Sequence, residues 1–307
     1  MACVGVEVTS FPHAEGLTAD ATATSGTALI ARTQRYPRVL SIAGSDSGGG
    51  AGIQADLKTF SALGCFGMTA ITALTAQNTV GVRAIHAVPL DMLHAQIDAV
   101  VEDIGVDAVK VGMLHSAATV QAVADAIDRH ALQRVVLDPV MVATSGATLI
   151  DREAIEVLVT QMFPRALLVT PNLDEAALLV GRPLATESDL EAAARALLAR
   201  GARAVLLKGG HLAGDTVSDL LLAREGAPLW LRGPRIPSGN THGTGCTLSS
   251  AIAAHLARGA ALEDAVRAAR DYVRGALQAG APVRTGAGSG PLNHGWGPEA
   301  MHTVTTP

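Results

Sequence analysis

Short apolar segments alternate with longer amphipathic segments along most of this chain. Segments such as 39–43 are too short for helices and consist almost entirely of apolar residues, as do strands buried on both faces of a parallel sheet. In the segments between them, apolar residues repeat at helical spacing, as they do from Leu90 to Ile104. This alternation predicts an α/β fold with a mostly parallel sheet and helices on both of its faces.

The predicted elements follow this alternation from residue 39 to residue 277. The predicted strands are 39–43, 68–76, 82–88, 108–113, 134–138, 166–170 and 204–208. The predicted helices are 53–63, 90–104, 117–129, 151–162, 174–180, 188–200, 248–258 and 262–277. Segments 217–223 and 228–231 are predicted to form an antiparallel pair at an edge of the sheet.

The chain of 307 residues is long enough for one large α/β domain or two smaller ones. Because no linker rich in Gly, Pro or Ser interrupts the alternation, we predict a single domain over 38–296. Residues 1–37 are rich in Thr, Ala, Ser and Gly and show no sustained period, which predicts a disordered or loosely attached extension. Residues 297–307 are interpreted as a C-terminal tail.

Composition argues against several classes of partner. The net charge is −5 and no basic run occurs, so nucleic acid is not the expected partner. No apolar stretch approaches the ~20 residues that span a bilayer, and the N-terminus lacks the basic and apolar blocks of a secretory signal. The three cysteines are too few and too scattered for a disulfide framework. These features predict a protein of a reducing, cytoplasmic setting.

The segment 240–248 carries the strongest local indication of chemistry. Gly243 and Gly245 allow a tight turn and a close approach to a ligand, and the helix that follows points its unpaired N–H groups into that turn. Such a turn predicts an anion hole. Cys246 lies at its mouth, where a helix N-terminus is expected to lower the pKa of a thiol. On this segment alone, an ordinary Gly-rich turn before a helix explains the pattern equally well.

Polar or Gly-rich clusters follow several of the predicted strands. In chain order they contain Gly44 to Asp46, Gln77 with Asn78, Met113 with His115, Asp138, Asn172 with Glu175, and Lys208. Open α/β sheets bind ligands at the carboxyl ends of their strands, so these groups are expected to converge on one crevice beside the anion hole. The turn after the first strand has neither the P-loop nor the GxGxxG fingerprint.

This set of side chains suits phosphoryl transfer, which depends on positioning and charge neutralisation. Lys208 can neutralise nucleotide phosphates, and Asp138, Asn172 and Glu175 offer oxygen ligands for Mg²⁺. Cys246 or a neighbour can take a proton from an attacking hydroxyl. Each residue also has a simpler reading: Asp138 as a turn cap, Glu175 as a first-turn helix residue, and Lys208 as a solvated charge.

Seven motifs, in order, resemble those of the hydroxymethylpyrimidine/phosphomethylpyrimidine kinases of thiamine synthesis, a family of the ribokinase-like superfamily. They are SIAGSDSGGGAGIQADLK (41–58), TALTAQNT (72–79), KVGM (110–113), LDPVM (137–141), TPNLDEA (170–176), KGGH (208–211) and NTHGTGCT (240–247). The resemblance covers about residues 38–296 and implies a three-layer α/β/α fold. It implies ATP-dependent phosphorylation of 4-amino-5-hydroxymethyl-2-methylpyrimidine and then of its monophosphate.

The resemblance also implies a role for particular residues. Gln77 would hydrogen-bond the pyrimidine, and Gly44, Met113 and Val140 would form the wall of its pocket. The residues implied in nucleotide, metal and catalytic roles are Lys208, Asn172, Thr241 and Thr244 for ATP, Asp138 and Glu175 for Mg²⁺, and Gly243, Thr244, Gly245, Cys246 and Lys208 for catalysis. A homodimer is implied as well, and the need for a monovalent cation stays open.

Three other functions compete with this interpretation. A pyridoxal kinase, or an enzyme with both activities, would use the same phosphate machinery, although Gln77 and Met113 favour the pyrimidine. An NAD(P)H-hydrate dehydratase of the same fold is expected to carry Asp where this chain has Cys246. A non-catalytic pyrimidine sensor would be expected to lack Lys208, Asp138 or Cys246, and all three are present.

Overall fold

The computed structural model describes residues 34–141, 150, 152–210, 212 and 214–305. Its strands are β1 (Gln34–Arg35), β2 (Arg38–Asp46), β3 (Phe66–Gln77), β4 (Val82–Ala87), β5 (Ala108–Val111), β6 (Val135–Leu137), β7 (Leu168–Val169), β8 (Ala204–Leu207), β9 (Thr216–Ala223), β10 (Leu229–Pro234) and β11 (Val304–Thr305). Its helices are α1 (Gly52–Ala62), α2 (Leu90–Asp103), α3 (Ala117–Arg129), α4 (Arg152–Met162), α5 (Leu173–Val180), α6 (Glu187–Ala199), α7 (Thr244–Ala257) and α8 (Leu262–Gly280).

The main sheet has the strand order β10-β9-β8-β7-β6-β5-β2-β3-β4 over the described residues. The five central pairings, from β8 to β3, are parallel, and β4, β9 and β10 add antiparallel pairs at the two edges. The predicted mostly parallel sheet and the predicted edge pair β9–β10 are therefore confirmed. All parallel strands run the same way, so their carboxyl ends lie along one edge of the sheet.

Helices cover both faces of the sheet, as predicted. Side chains of α2 to α6 pack on one face in a cluster that includes Leu40 and Ile42 of β2. Side chains of α1, α7 and α8 pack on the other face in a cluster that includes Val39. Successive residues of a strand point to opposite faces, so one apolar strand supplies both cores. The result is a three-layer α/β/α domain.

Helix α7 differs from its predicted bounds in a way that affects the site. The sequence places residues 240–247 in a loop, but the helix begins at Thr244, four residues before the predicted start. Gly243 adopts a left-handed conformation, with φ of 82°, and is the N-cap. Thr244, Gly245 and Cys246 therefore form the first helical turn. The predicted start of α4 at residue 151 lies outside the described residues.

The two ends of the described chain pack against the domain. Strands β1 and β11 pair antiparallel, with Arg35 opposite Val304. The backbone N–H of Glu299 donates to the carbonyl of Ala62 at 2.8 Å, and that of His302 donates to Gly64 at 2.9 Å. The segment interpreted as a tail is thus hydrogen-bonded to the end of α1. Residues 1–33 of the predicted extension lie outside the described residues, and no described helix is long and apolar enough to cross a membrane.

Candidate active site

The N-terminus of α7 lies directly over the lysine and the carboxylate that follow two central strands. A Cβ placed on Gly245 would lie 3.1 Å from Lys208 Nζ and 3.5 Å from Asp138 Oδ2. Glycine at this position lets the helix backbone come this close. The turn, the cation and the carboxylate therefore meet in one crevice at the carboxyl edge of the sheet.

The turn that leads into α7 depends on Gly243. Its φ of 82° is unfavourable for residues with a Cβ, and a Cβ here would collide with the carbonyl oxygen of Gly50. The Thr244 hydroxyl donates to the carbonyl oxygen of Thr241 at 2.7 Å and closes the turn from the other side. Because the first N–H groups of a helix have no acceptor within the helix, this turn can bind an anion.

Asp138 lies at the centre of the crevice and is almost fully buried. Its carboxylate accepts hydrogen bonds from Lys208 Nζ at 2.9 Å, Thr170 Oγ1 at 3.1 Å and Ser249 Oγ at 3.2 Å. Burial raises the pKa of Asp138, but the charges of Lys208 and Lys110 outweigh it and hold the pKa below its usual value. Asp138 therefore stays ionised, and its contacts are those of a charge centre rather than of a turn cap.

Lys208 is only 13% exposed, so the alternative of a solvated lysine is wrong. Burial lowers its pKa, but Asp138 and Glu175 raise it further, and the ammonium group stays charged. Burial also raises the pKa of Glu175, to about 7. The charge of Lys208 opposes this increase, and the charge of Asp138 adds to it. Near neutrality, Glu175 is thus partly protonated.

Asn172 and Glu175 form the N-terminal capping box of α5. Asn172 Oδ1 accepts from the Glu175 backbone N–H at 2.9 Å, and Glu175 Oε2 accepts from the Asn172 N–H at 2.7 Å. Asn172 also forms an isolated parallel bridge with Lys208. Glu175 is therefore a first-turn residue of α5, as the simpler reading has it, and its charge also interacts with those of Lys208 and Asp138.

The Cys246 thiol does not have the low pKa expected from its place at a helix N-terminus. Burial raises its pKa to about 11, and the Asp56 and Asp138 carboxylates add to this effect. Lys110 and a hydrogen bond from the Gly52 N–H oppose it without reversing it. The expectation was wrong because the sequence shows the helix end but neither the burial of the thiol nor the carboxylates near it.

The three residues implied for the wall of the pyrimidine pocket also come together. Met113 packs with Val140 and Ala73, and a Cβ on Gly44 would lie 2.5 Å from Met113 Cε. Ser45, next to Gly44, forms a bridge with Gly52, the residue whose N–H contacts the Cys246 thiol. The apolar wall therefore adjoins the thiol at the mouth of the turn.

Comparison with known proteins agrees with this geometry. Residues 46–293 match the family model described as phosphomethylpyrimidine kinase. The chain belongs to this family. It is 52% identical over 260 residues to the hydroxymethylpyrimidine/phosphomethylpyrimidine kinase of Streptomyces coelicolor, covering 85% of this chain and 95% of that protein. The family and the phosphotransferase class predicted from the sequence are therefore confirmed.

Two further similarities extend this result. The chain is 53% identical over 270 residues to the thiamine biosynthesis bifunctional protein ThiED of Geobacter sulfurreducens, covering 87% of this chain but only 54% of that protein. Its fold matches an ADP complex of Bacillus subtilis pyridoxal kinase with a TM-score of 0.77 and 37% identity, covering 84% of this chain and 96% of that one. The ribokinase-like architecture is thus shared with a kinase that binds a nucleotide.

The sequence analysis missed a buried ion pair beneath the kinase site. Lys110 Nζ contacts both oxygens of Asp56, at 2.9 and 2.8 Å, and both side chains are fully buried. Ser41 and Ser250 also donate to Asp56, at 2.5 and 2.6 Å. Ser250 lies one helical turn after Cys246 on α7. The sequence feature that could have indicated this ion pair is Lys110, a lysine within an otherwise apolar strand.

A second missed group contains Asp46 and His242. His242 Nε2 lies 2.9 Å from Asp46 Oδ2 and 3.4 Å from the carboxamide of Gln77. The sequence analysis placed Asp46 in a polar cluster but gave neither residue a role. The sequence feature that could have indicated these two residues is their position. Asp46 is the last residue of β2, and His242 directly precedes Gly243 of the anion-binding turn.

Within the described residues, no group of three or more His, Cys, Asp or Glu side chains could hold a metal ion on its own. Asp138 and Glu175 supply two carboxyl groups beside Lys208. This set fits Mg²⁺, which commonly binds proteins through one or two carboxylates and takes its remaining ligands from phosphates and water.

Proposed function

We propose that this crevice transfers the γ-phosphoryl group of ATP to the hydroxymethyl group of 4-amino-5-hydroxymethyl-2-methylpyrimidine, and then phosphorylates the monophosphate. The observation that carries the proposal is the approach of Gly245 to Lys208 and Asp138, which joins an anion-binding turn, a cation and a carboxylate. Phosphoryl transfer needs such an arrangement, because charge on the transferred group must be held and neutralised in the transition state.

Lys208 would neutralise the phosphates of ATP, with Asn172, Thr241 and Thr244 as further nucleotide contacts. On ATP binding, its phosphates would replace Asp138 as the main partner of the ammonium group. Burial lowers the pKa of Lys208, but the charges of Asp138 and Glu175 outweigh it and keep the group charged. Asp138 and Glu175 would hold Mg²⁺, directly or through water, and the ion would neutralise charge on the β- and γ-phosphates.

The N–H groups of Gly243, Gly245 and Cys246 would bind the transferred phosphoryl group, while the Thr244 N–H donates to the carbonyl oxygen of Thr241 at 3.2 Å and holds the turn. The substrate oxygen bonds to phosphorus, the bond from phosphorus to the ADP oxygen breaks, and the hydroxyl proton goes to the Cys246 thiolate. The thiolate is a minor species near neutrality because the thiol pKa is about 11. Positioning and charge neutralisation therefore supply most of the rate enhancement.

Gln77 would hydrogen-bond the aminopyrimidine edge, and Gly44, Met113 and Val140 would enclose the ring. Support comes from the apolar contact between Met113 and Val140 and from the place of Gln77 beside His242, next to the anion-binding turn. Recognition and phosphoryl transfer would then occur in adjacent parts of one crevice.

A second candidate activity is phosphorylation of pyridoxal, favoured by the similarity to a pyridoxal kinase over 84% of this chain. Both activities are tested by measuring ATP consumption with the hydroxymethylpyrimidine, its monophosphate and pyridoxal, with and without added K⁺. We expect kcat/KM to be highest for the pyrimidines. A preference for pyridoxal by about tenfold or more would refute the proposed substrate.

We also propose a homodimer in the cytoplasm. The antiparallel pair β3–β4 ends the sheet and exposes large apolar side chains, among them Leu74 (47%) and Ile85 (43%). Exposed apolar surface of this kind commonly forms protein interfaces. Light scattering should give the mass of two chains, and Leu74→Asp should give one chain. An unsubstituted protein that is monomeric at assay concentration would contradict this.

A further inference from the structure

Helices α1 and α7 pack against each other and are joined by two polar contacts one helical turn apart. In the first contact, the Gly52 N–H of α1 donates to the Cys246 thiol of α7. In the second, the Ser250 hydroxyl of α7 donates to the Asp56 carboxylate of α1 at 2.6 Å. Residues four positions apart lie on the same face of a helix. The two contacts therefore form successive rungs of a ladder between the facing surfaces of α1 and α7.

The second rung is fixed to the sheet by a buried lysine. Lys110 Nζ of β5 lies 2.9 and 2.8 Å from the two oxygens of Asp56, and both side chains are fully buried. A Cβ on Gly112, just after β5, would lie 2.9 Å from Lys110 Nζ. The ammonium group therefore lies near the carboxyl end of β5, at the edge of the sheet that carries the crevice.

The reaction proposed above uses neither residue of this ion pair. A buried ion pair commonly stabilises a fold no more than apolar side chains of the same volume do, whereas removing one partner is costly. Such a pair restricts how its neighbours can pack, because Asp56 can be buried only where Lys110 and the hydroxyl donors reach it. A shift of α7 along α1 would take Ser250 away from this carboxylate.

We propose that Lys110 and Asp56 are positioning residues that hold α7 in register with α1, and thereby keep the Cys246 sulfur at the Gly52 N–H and near the Lys110 ammonium group. Both groups favour a negatively charged sulfur, because the N–H donates to it and the ammonium group attracts it. This inference rests on the proposed role of Cys246 as the base.

Four charged groups, each from a different element, act on the Cys246 thiol. Lys110 of β5 and Lys208 after β8 favour the thiolate, whereas Asp56 of α1 and Asp138 after β6 oppose it. The effect of Lys110 on the thiol pKa is larger than that of Asp56. Removing Lys110 and Asp56 together should therefore raise the thiol pKa further.

The first test removes both charges of the pair. Lys110→Met/Asp56→Asn keeps similar side-chain volumes and leaves no unpaired buried charge, so it should fold. Because a smaller fraction of Cys246 would be thiolate, we expect kcat at pH 8 to fall about tenfold. The alkaline rise in kcat should move to higher pH, and KM for ATP should stay unchanged.

Alkylation by iodoacetamide measures the Cys246 thiolate without substrate or nucleotide. Its rate is followed by mass spectrometry of the peptide that contains Cys246, and the thiolate is the species that reacts. We expect the double variant to react about threefold more slowly than the unsubstituted protein. Cys246 is partly exposed, so a helix that is merely loosened would react faster. Faster or unchanged alkylation would overturn the inference.

Ser250→Ala and Ser41→Ala form a matched pair that tests the register, and they decide the question if the double variant does not fold. Both hydroxyls donate to Asp56, at 2.6 and 2.5 Å, and both residues are fully buried. Only Ser250 lies on α7. Ser250→Ala should lower kcat about tenfold and the alkylation rate about threefold. Ser41→Ala should leave both nearly unchanged, and equal alkylation rates in the two variants would overturn the inference.

These measurements distinguish the inference from the proposed function. No phosphorylation of the pyrimidine by the unsubstituted enzyme would refute the proposed substrate, while alkylation would still test the ion pair. Slower alkylation with unchanged kcat would support the positioning of Cys246 by Lys110 and Asp56, and would refute the role of Cys246 as the base.

Discussion

Glu175 is a buried carboxyl group whose ionisation should destabilise the folded protein. Burial raises its pKa from 4.5 to about 7, and Asp138 adds to the increase. At about 1.4 kcal/mol for each pH unit between these values, ionised Glu175 costs the folded state about 3 kcal/mol. Glu175→Gln removes this cost and keeps a side-chain oxygen that can accept the hydrogen bond from the Asn172 N–H. We therefore expect the variant to be more stable.

The sign of the effect follows from proton binding. Below pH 4.5 the group is protonated in both states and contributes nothing. Between pH 4.5 and about 7 the folded state binds more protons than the unfolded state, so the free energy of unfolding falls as the pH rises. Above about pH 7 the full cost is present. The advantage of Glu175→Gln should thus be small near pH 5 and approach about 3 kcal/mol near pH 8.

The assay is urea unfolding at several pH values without nucleotide or Mg²⁺. Glu153→Gln is the matched control, because Glu153 is an exposed first-turn residue of α4. Its effect should stay below about 1 kcal/mol at each pH. Equal or lower stability of Glu175→Gln near pH 8 would refute the reasoning. Glu175 is also a proposed Mg²⁺ ligand, so the same variant should have a lower kcat/KM for ATP. The substitution would then increase stability and reduce activity.

Three further predictions concern the transfer site. Cys246→Ala should lower kcat by about 10²- to 10⁴-fold with KM for ATP unchanged. Because the thiol pKa is about 11, kcat of the unsubstituted enzyme should rise with pH through the alkaline range, and a flat profile would contradict the base role. Lys208→Met should raise KM for ATP. It should also lower the free energy of unfolding by about 3–5 kcal/mol, because it leaves Asp138 buried without its partner. Unchanged kinetics would show that Lys208 does not bind phosphate. Gly243→Ala should abolish most activity, because φ is 82° and the Gly50 carbonyl lies in the way. Gly259→Ala has a similar φ of 92° with open space around it, so it should lose about 1–2 kcal/mol but keep its kcat.

Much of the fold was predictable because its signals are local. Strands such as β6 are apolar throughout. Helix α3 was predicted with its observed bounds, and in the structure the Ser116 side chain caps its N-terminus. The start of α7 was missed. Thr244 and Gly245 favour a loop by intrinsic propensity, whereas the left-handed Gly243 and the packing of the turn on Gly50 make them helical.

The candidate site was predictable to a smaller extent. The convergence of Lys208 and Asp138 follows from a general property of parallel sheets, because both residues follow central strands. Gly245 belongs to a separate local signal, the Gly-rich turn before a helix. The high pKa of the Cys246 thiol was not predictable, because it depends on burial and on carboxylates from α1 and the end of β6. The same holds for His242, whose partner Asp46 lies 196 positions away in the chain.

The order of apolar and polar residues along the chain determined the layers of the domain, the edge of the sheet that carries the site, and the chemical class of its side chains. Each of these depends on periodicity or on neighbours in the chain. The tertiary structure alone decided which charges are buried together and which protons they hold. Electrostatic and hydrogen-bond energies depend on distances between groups remote in sequence, and only folding sets those distances.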